Sequence, residues 1–160
     1  MNTSRICAID VGNDSVKALF GKLDYELNIP NVIAVSTEDR PVIGIEELND
    51  KDPIEGIHIR VHSPALNDNN IIYRVGSLAT KSDNATELDP GSNKSEEDQT
   101  LVMLFATLAL DAVREENSEL FKKNNNIIDA NYTLGTGLPL REVKEGKDVG
   151  YRSQLLGSVH

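Results

Sequence analysis

A chain of 160 residues is the size of one domain and can bury a core without disulfide or metal staples. At 39% apolar and 26% charged residues it is too apolar for wholesale disorder, and a single cysteine, Cys7, excludes an intrachain disulfide. Sixteen basic against twenty-six acidic residues give a formal charge of -10, which sets the surface field against direct nucleic-acid and membrane binding; a nucleotide is not excluded, because a phosphate site is built from local N–H groups and one or two cations.

The segment Met1 to Arg5 is polar and the apolar run after it stops at Asp10, too short for a signal peptide or a membrane span, so a cytoplasmic chain is expected. Ile6-Cys7-Ala8-Ile9 and Val16 to Phe20 flank the turn formers Gly12-Asn13-Asp14-Ser15, which predicts a β-hairpin with Cys7 as a buried small hydrophobe. Gly21 to Asn28 reads as a turn-rich link, and Ile29 to Val35 as a third antiparallel strand. From Ser36 to Asp98 the chain turns to Asp, Asn, Glu, Pro and Gly with apolar islands at Val42 to Ile45, Ile57 to Val61 and Ile71 to Val75, a pattern that predicts an inserted, strand-poor subdomain. Lys81 to Asp98 has only Ala85 and Leu88 as apolar residues and is expected to be a mobile surface loop.

A helix is predicted to start at Ser95, where Ser95 and Asp98 fit a capping box and Glu96, Glu97 and Asp98 complement the positive helix end. Leu101, Leu104, Phe105, Leu108 and Ala112 recur at helical spacing, and Lys122, Lys123 and the asparagines after them close the pattern. Ile127 to Leu134 reads as a returning strand, Gly135 to Leu140 as a tight strand-end turn, and Val149 to Leu156 as a second helix. Three strands, an insertion, a helix, a strand and a helix place the chain in the α/β class.

The hairpin carries the chemistry. Gly12 lets backbone approach a phosphate, successive turn N–H groups form an anion-binding concavity, Lys17 adds a positive charge, and Asp10 is placed to organise Mg²⁺ through water. Taken alone, Asp-x-Gly with Lys five residues after the Gly also describes an ordinary Asn-Asp hairpin. His58 and His62 sit four apart in an alternating Ile57, Ile59, Val61 setting, so they are expected on the polar face of a strand and not as a metal pair. Gly135-Thr136-Gly137 could touch a ligand through its backbone, although tight turns are the commoner use of such glycines.

Ile9-Asp10-Val11-Gly12-Asn13-Asp14-Ser15-Val16-Lys17 resembles the first phosphate loop of the actin, sugar-kinase and heat-shock ATPase superfamily. Tyr73-Arg74-Val75-Gly76-Ser77-Leu78-Ala79 and Thr133-Leu134-Gly135-Thr136-Gly137-Leu138-Pro139-Leu140 are similar, in the same order, to segments of bacterial plasmid-partition (ParM-like) actins. The resemblance covers essentially the whole chain. It implies a ribonuclease-H-like α/β domain, a mixed sheet with packed helices, with core at residues 1–39 and 96–160 and a small inserted subdomain at about 40–95.

It also implies the N-terminal nucleotide-binding half of an actin-like ATPase that polymerises into filaments for plasmid or DNA segregation, with ATP and Mg²⁺ as cofactors. Asp10 is then the ligand of Mg²⁺ through water, and Gly12, Asn13, Asp14, Ser15 and Lys17 are phosphate-loop positions. The water-activating acidic residue, the second phosphate loop and the adenosine pocket are expected beyond His160, in a second ATPase domain absent from this chain. Little or no hydrolysis is therefore expected from these residues alone, since phosphoryl transfer needs nucleotide and water positioned together. Implied partners are further copies of the protein and an adaptor. The alternatives are half of a sugar- or acetate-kinase-like enzyme, or a non-catalytic acidic interaction domain that retains the fold.

Overall fold

The computed structural model describes residues 4–21, 25–38, 52–115, 120–125 and 127–157. Strands β1 (Arg5–Val11), β2 (Ser15–Phe20) and β3 (Tyr25–Pro30) form an antiparallel meander. The last strand, β10 (Tyr132–Thr136), joins it parallel to β1, in the order β10-β1-β2-β3. Side chains alternate strictly along β1: Arg5, Cys7, Ile9 and Val11 are buried while Ile6, Ala8 and Asp10 face solvent. A strand with a period of two thus separates a core face from an open face. Helix α1 (Asp98–Arg114) covers the core face with Leu101, Val102, Met103, Leu104, Ala106 and Leu110. It is part of the crossover that a parallel β1–β10 pair requires.

The sequence between these strands builds a second sheet, of β4 (Val32–Ser36), β5 (His58–Val61), β6 (Ile71–Val75) and β7 (Thr86–Glu87), in the order β5-β6-β4-β7. The expected third strand over Ile29 to Val35 is accordingly broken at Asn31, with Pro30 ending β3 and Val32 opening β4 in the other sheet. Pro30 has no N–H to extend a ladder, and Asn31 gives its own N–H to the Asp14 carbonyl at 3.0 Å. Residues 25–28, expected as a link, are strand because Leu27 and Ile29 point into the core while Glu26 and Asn28 face water. Among the described residues the stretch expected to be strand-poor holds three strands, and Lys81 to Asp98 is built into the body, with Leu88 and Ser95 buried. The island Val42 to Ile45 lies outside the described residues.

The helix start differs from its expected capping box. Lys94–Glu96 is a short 3₁₀ turn and α1 begins at Asp98. The Ser95 hydroxyl is spent on Glu142, and the Asp98 carboxylate accepts from the backbone N–H groups of Asn67 and Asp68. The helix ends at Arg114, before Lys122, because Phe121 starts a hairpin of β8 (Phe121–Asn124) and β9 (Ile127–Ala130). The returning strand is therefore two strands, joined at Asn131. Helices α2 (Leu140–Lys144) and α3 (Lys147–Gly157) close the chain. Among the described residues no helix is long and apolar enough to cross a membrane.

A buried charge at the Arg5 end of the sheet fastens α1 to it. Asp111, fully buried, pairs with Arg5 Nε at 3.3 Å, lies 2.7 Å from the Tyr132 hydroxyl and accepts from the Tyr25 hydroxyl. The Arg5 guanidinium sits 5.5 Å from the Tyr25 ring centroid and 6.0 Å from that of Phe20, within cation–π range. Burial, then the Asp111 carboxylate, push Tyr132 well above the ordinary tyrosine pKa, so it stays a phenol. Burial likewise, with Asp111 second, pushes the Cys7 thiol up to about 11.

Candidate functional site

β1 and β10 are parallel and end together, with Ile9 beside Thr136 in register. In open α/β sheets the crevice outside the carboxyl ends of parallel strands is where ligands bind. Asp10 leaves β1 at this end on the open face, and Lys17 stands directly opposite it on β2. Gly135 is on the same face, in register with Ala8, and Gly137 follows one residue past the strand. Both Asp10 and Lys17 are exposed, and among the described residues neither enters an ion pair. The structure thus brings together all six sequence-predicted site residues, Asp10, Gly12, Asn13, Asp14, Ser15 and Lys17, within one hairpin.

The hairpin tip is closed by Gly12 N–H donating to the Ser15 carbonyl at 3.0 Å. A Cβ on residue 12 would lie 2.7 Å from that carbonyl oxygen, so glycine is required by the turn itself, whatever ligand the turn meets. The tip carbonyls face inward. Val11 C=O accepts from Lys94 Nζ at 2.7 Å, Gly12 C=O from Asn31 Nδ2 at 2.7 Å, and Asp14 C=O from Asn31 N–H. The N–H groups of Asn13 and Asp14 donate to no other group among the described residues, which leaves them for a ligand. Asn13 Oδ1 is buried and has no hydrogen-bond partner among the described residues, an open acceptor at the tip. Spare N–H donors, an exposed carboxylate, a lysine and an orphaned acceptor fit a nucleotide phosphate with Mg²⁺.

Supports reach this tip that sequence reasoning missed. Glu142 on α2, with no exposure, accepts from Lys94 N–H at 2.8 Å, Ser95 N–H at 2.9 Å and Ser95 Oγ at 2.5 Å. Burial works to raise its pKa, but the Ser95 and Lys94 donors and the charge of Lys147 outweigh it and hold the carboxyl below its ordinary value. Glu142 thereby anchors the 3₁₀ turn that carries Lys94. Nothing local marks Asn31, Lys94 or Glu142 as supports, because their partners are 19, 83 and 48 residues away. A separate groove of about 1030 Å³ lies on the α1 side, lined by Leu104, Leu108, Leu134, Tyr151 and Leu155 among others, and no residue from 10 to 17 borders it. Among the described residues no three His, Cys, Asp or Glu side chains form a metal cluster; His58 lies on β5 and His62 just past it.

The model of the family "Actin like proteins N terminal domain" matches residues 8–160. Three solved structures share the fold. ParM of Bacillus thuringiensis in apo form is 18% identical with a TM-score of 0.71, over 95% of this chain and 39% of that one. The same organism's ParM with ATP is 23% identical with a TM-score of 0.66, over 95% and 37%. A 15-stranded ParM filament from Clostridium botulinum is 22% identical with a TM-score of 0.63, over 93% and 38%. The chain thus spans about two-fifths of the length of these proteins. No curated protein matches it. A family match over nearly the whole chain agrees with the sheet order, the crossover helix and the hairpin, and the chain belongs to the actin-like proteins as an N-terminal domain of that family.

Proposed function

We propose that this chain is the nucleotide-binding N-terminal half of a filament-forming ATPase that acts in plasmid or DNA segregation in the cytoplasm, with ATP and Mg²⁺ as cofactors. The observation that carries the proposal is the hairpin tip, which has its carbonyls tied inward and the N–H groups of Asn13 and Asp14 unused, beside the opposed pair Asp10 and Lys17. Asn13, Asp14 and Ser15 would meet phosphate oxygens, Gly12 keeps the turn closed, and Lys17 balances phosphate charge. Asp10 would hold Mg²⁺ through water. The metal, when bound, would supply charge neutralisation for the phosphates. The proposal is supported by relatives of the same fold solved with ATP and as a filament.

In this proposal residues about 40–95 are an insertion between core segments 1–39 and 96–160. A second ATPase domain outside this chain supplies the adenosine pocket and the acidic residue that activates water. Self-association then runs through both halves, and an adaptor links the filament to its cargo. Mg²⁺-ATP titration of the complete two-domain protein is the test. Asp10→Ala and Lys17→Ala are each expected to weaken binding about tenfold or more, the scale of losing a charge-assisted contact. Wild-type affinity in both variants overturns the assignment of the site, and sedimentation that is unchanged by ATP overturns the filament.

A further inference from the structure

We infer that Asn31 is a positioning residue for the phosphate site: held by Gln99, it keeps the tip of the hairpin in the form that presents N–H groups outward. The inference rests on the nucleotide-binding proposal and deepens it. Asn31 is 1% exposed, so its task is internal. Its side-chain Nδ2 donates to Gly12 C=O and its backbone N–H to Asp14 C=O, so one residue holds two of the tip peptides. A trans peptide points its C=O and the following N–H in opposite directions. Tying the Gly12 carbonyl inward therefore turns the Asn13 N–H, one of the two unused donors, outward, while the bond to the Asp14 carbonyl fixes the far side of the turn. The Val11 carbonyl is tied by Lys94, but the N–H that follows it is already used to close the turn, so the outward Asn13 N–H depends on Asn31.

The amide of Asn31 has no freedom to turn over. Gln99 Nε2 lies 3.0 Å from Asn31 Oδ1 and 3.2 Å from Asn31 C=O, and 3.3 Å from Thr86 C=O. A carbonyl oxygen held by a donor on one side leaves only the NH₂ for Gly12 on the other. Gln99 is itself buried in the first turn of α1, while Asn31 sits at the joint between β3 and β4. The tip is thus tied to both sheets and to the helix. Donors that are already oriented need no rearrangement when an anion arrives, which is the advantage of a preorganised site.

Asn31→Asp keeps the shape and the acceptor for Gln99 but loses the donor to Gly12, whereas Gln99→Leu frees the Asn31 amide without touching the hairpin. In the complete protein, Mg²⁺-ATP affinity is expected to fall about tenfold in Asn31→Asp and a few-fold in Gln99→Leu, while adenosine affinity stays within about twofold. Equal losses for ATP and adenosine mean general damage and overturn the inference, as does wild-type ATP affinity in both variants. ¹⁵N relaxation of the Gly12 to Ser15 amides gives an outcome independent of nucleotide. These amides are expected to gain mobility in both variants, and unchanged relaxation overturns the positioning role. A wild type that binds no nucleotide defeats the proposed function, and the relaxation measurement still decides whether Asn31 orders the tip.

Discussion

The two ends of the first sheet use buried polar groups in opposite ways. At the Arg5 end a full charge pair is sealed in, and Asp111 is surrounded by donors from Arg5, Tyr25 and Tyr132. At the hairpin end the tip carbonyls are held by an amide, a backbone N–H and a lysine, and the donors of Asn13 and Asp14 remain unspent. The first end sets its buried charges against each other and holds α1 on the sheet. The second is supported from behind and unsatisfied in front, which the proposed function requires, since a group already paired within the protein gains little from a ligand. Polar burial thus serves the scaffold at one end and, in the proposed function, a ligand at the other.

Breaking the closed end is expected to have the largest effect. Asp111→Ala leaves the Arg5 guanidinium buried without its main partner and is expected to cost about 3–5 kcal/mol in urea unfolding. The double change Arg5→Met with Asp111→Leu removes both charges and is expected to recover most of that loss; if it is as unstable as the single change, the network is more than one charge pair. A smaller effect is expected at Glu142, which supports the open end. Glu142→Gln keeps the shape but gives up charge-assisted bonds to Lys94 and Ser95, at about 1–3 kcal/mol. Its folded pKa lies below the ordinary 4.5, so its contribution is present above that value and lost as pH falls through the folded one. The wild type should therefore lose more stability on acidification than Glu142→Gln, and parallel acid limbs would remove Glu142 as the anchor.

The smallest effect concerns Cys7, beside the closed end. Its pKa rises from 9.0 to about 11, so the burial of the neutral thiol stabilises the fold below 9.0 and that contribution fades as pH rises through about 11. Urea midpoints measured from neutral pH upward should fall above pH 9.0, less steeply in Cys7→Ala than in wild type. Tyr132, raised by the same burial and the same Asp111, keeps part of the slope in the variant. Identical slopes would mean that the thiol is open to water.

Local pattern was enough for the β1–β2 hairpin, for α1 and for the helix near the end, because each is specified by residues a few positions apart: Gly12 to Ser15 with flanking apolar runs, Leu101 to Ala112 at helical spacing, Val149 to Leu156. The α/β class followed from their order, and the actin-like family from three ordered segments. The failures share a cause. Ile29 to Val35 and Ile127 to Leu134 look continuous in sequence, yet Asn31 and Asn131 divide each between two sheets, since strand partners are chosen by distant residues and not by the run itself. Ser95 and Asp98 satisfied a capping pattern, but Glu142, 47 residues from Ser95, took the hydroxyl. By itself the sequence determined where the hairpin turn and its charges lie, because turn chemistry is local. Only the tertiary structure decided what holds that turn, because a buried amide or carboxylate acquires its role from the partners that folding brings to it.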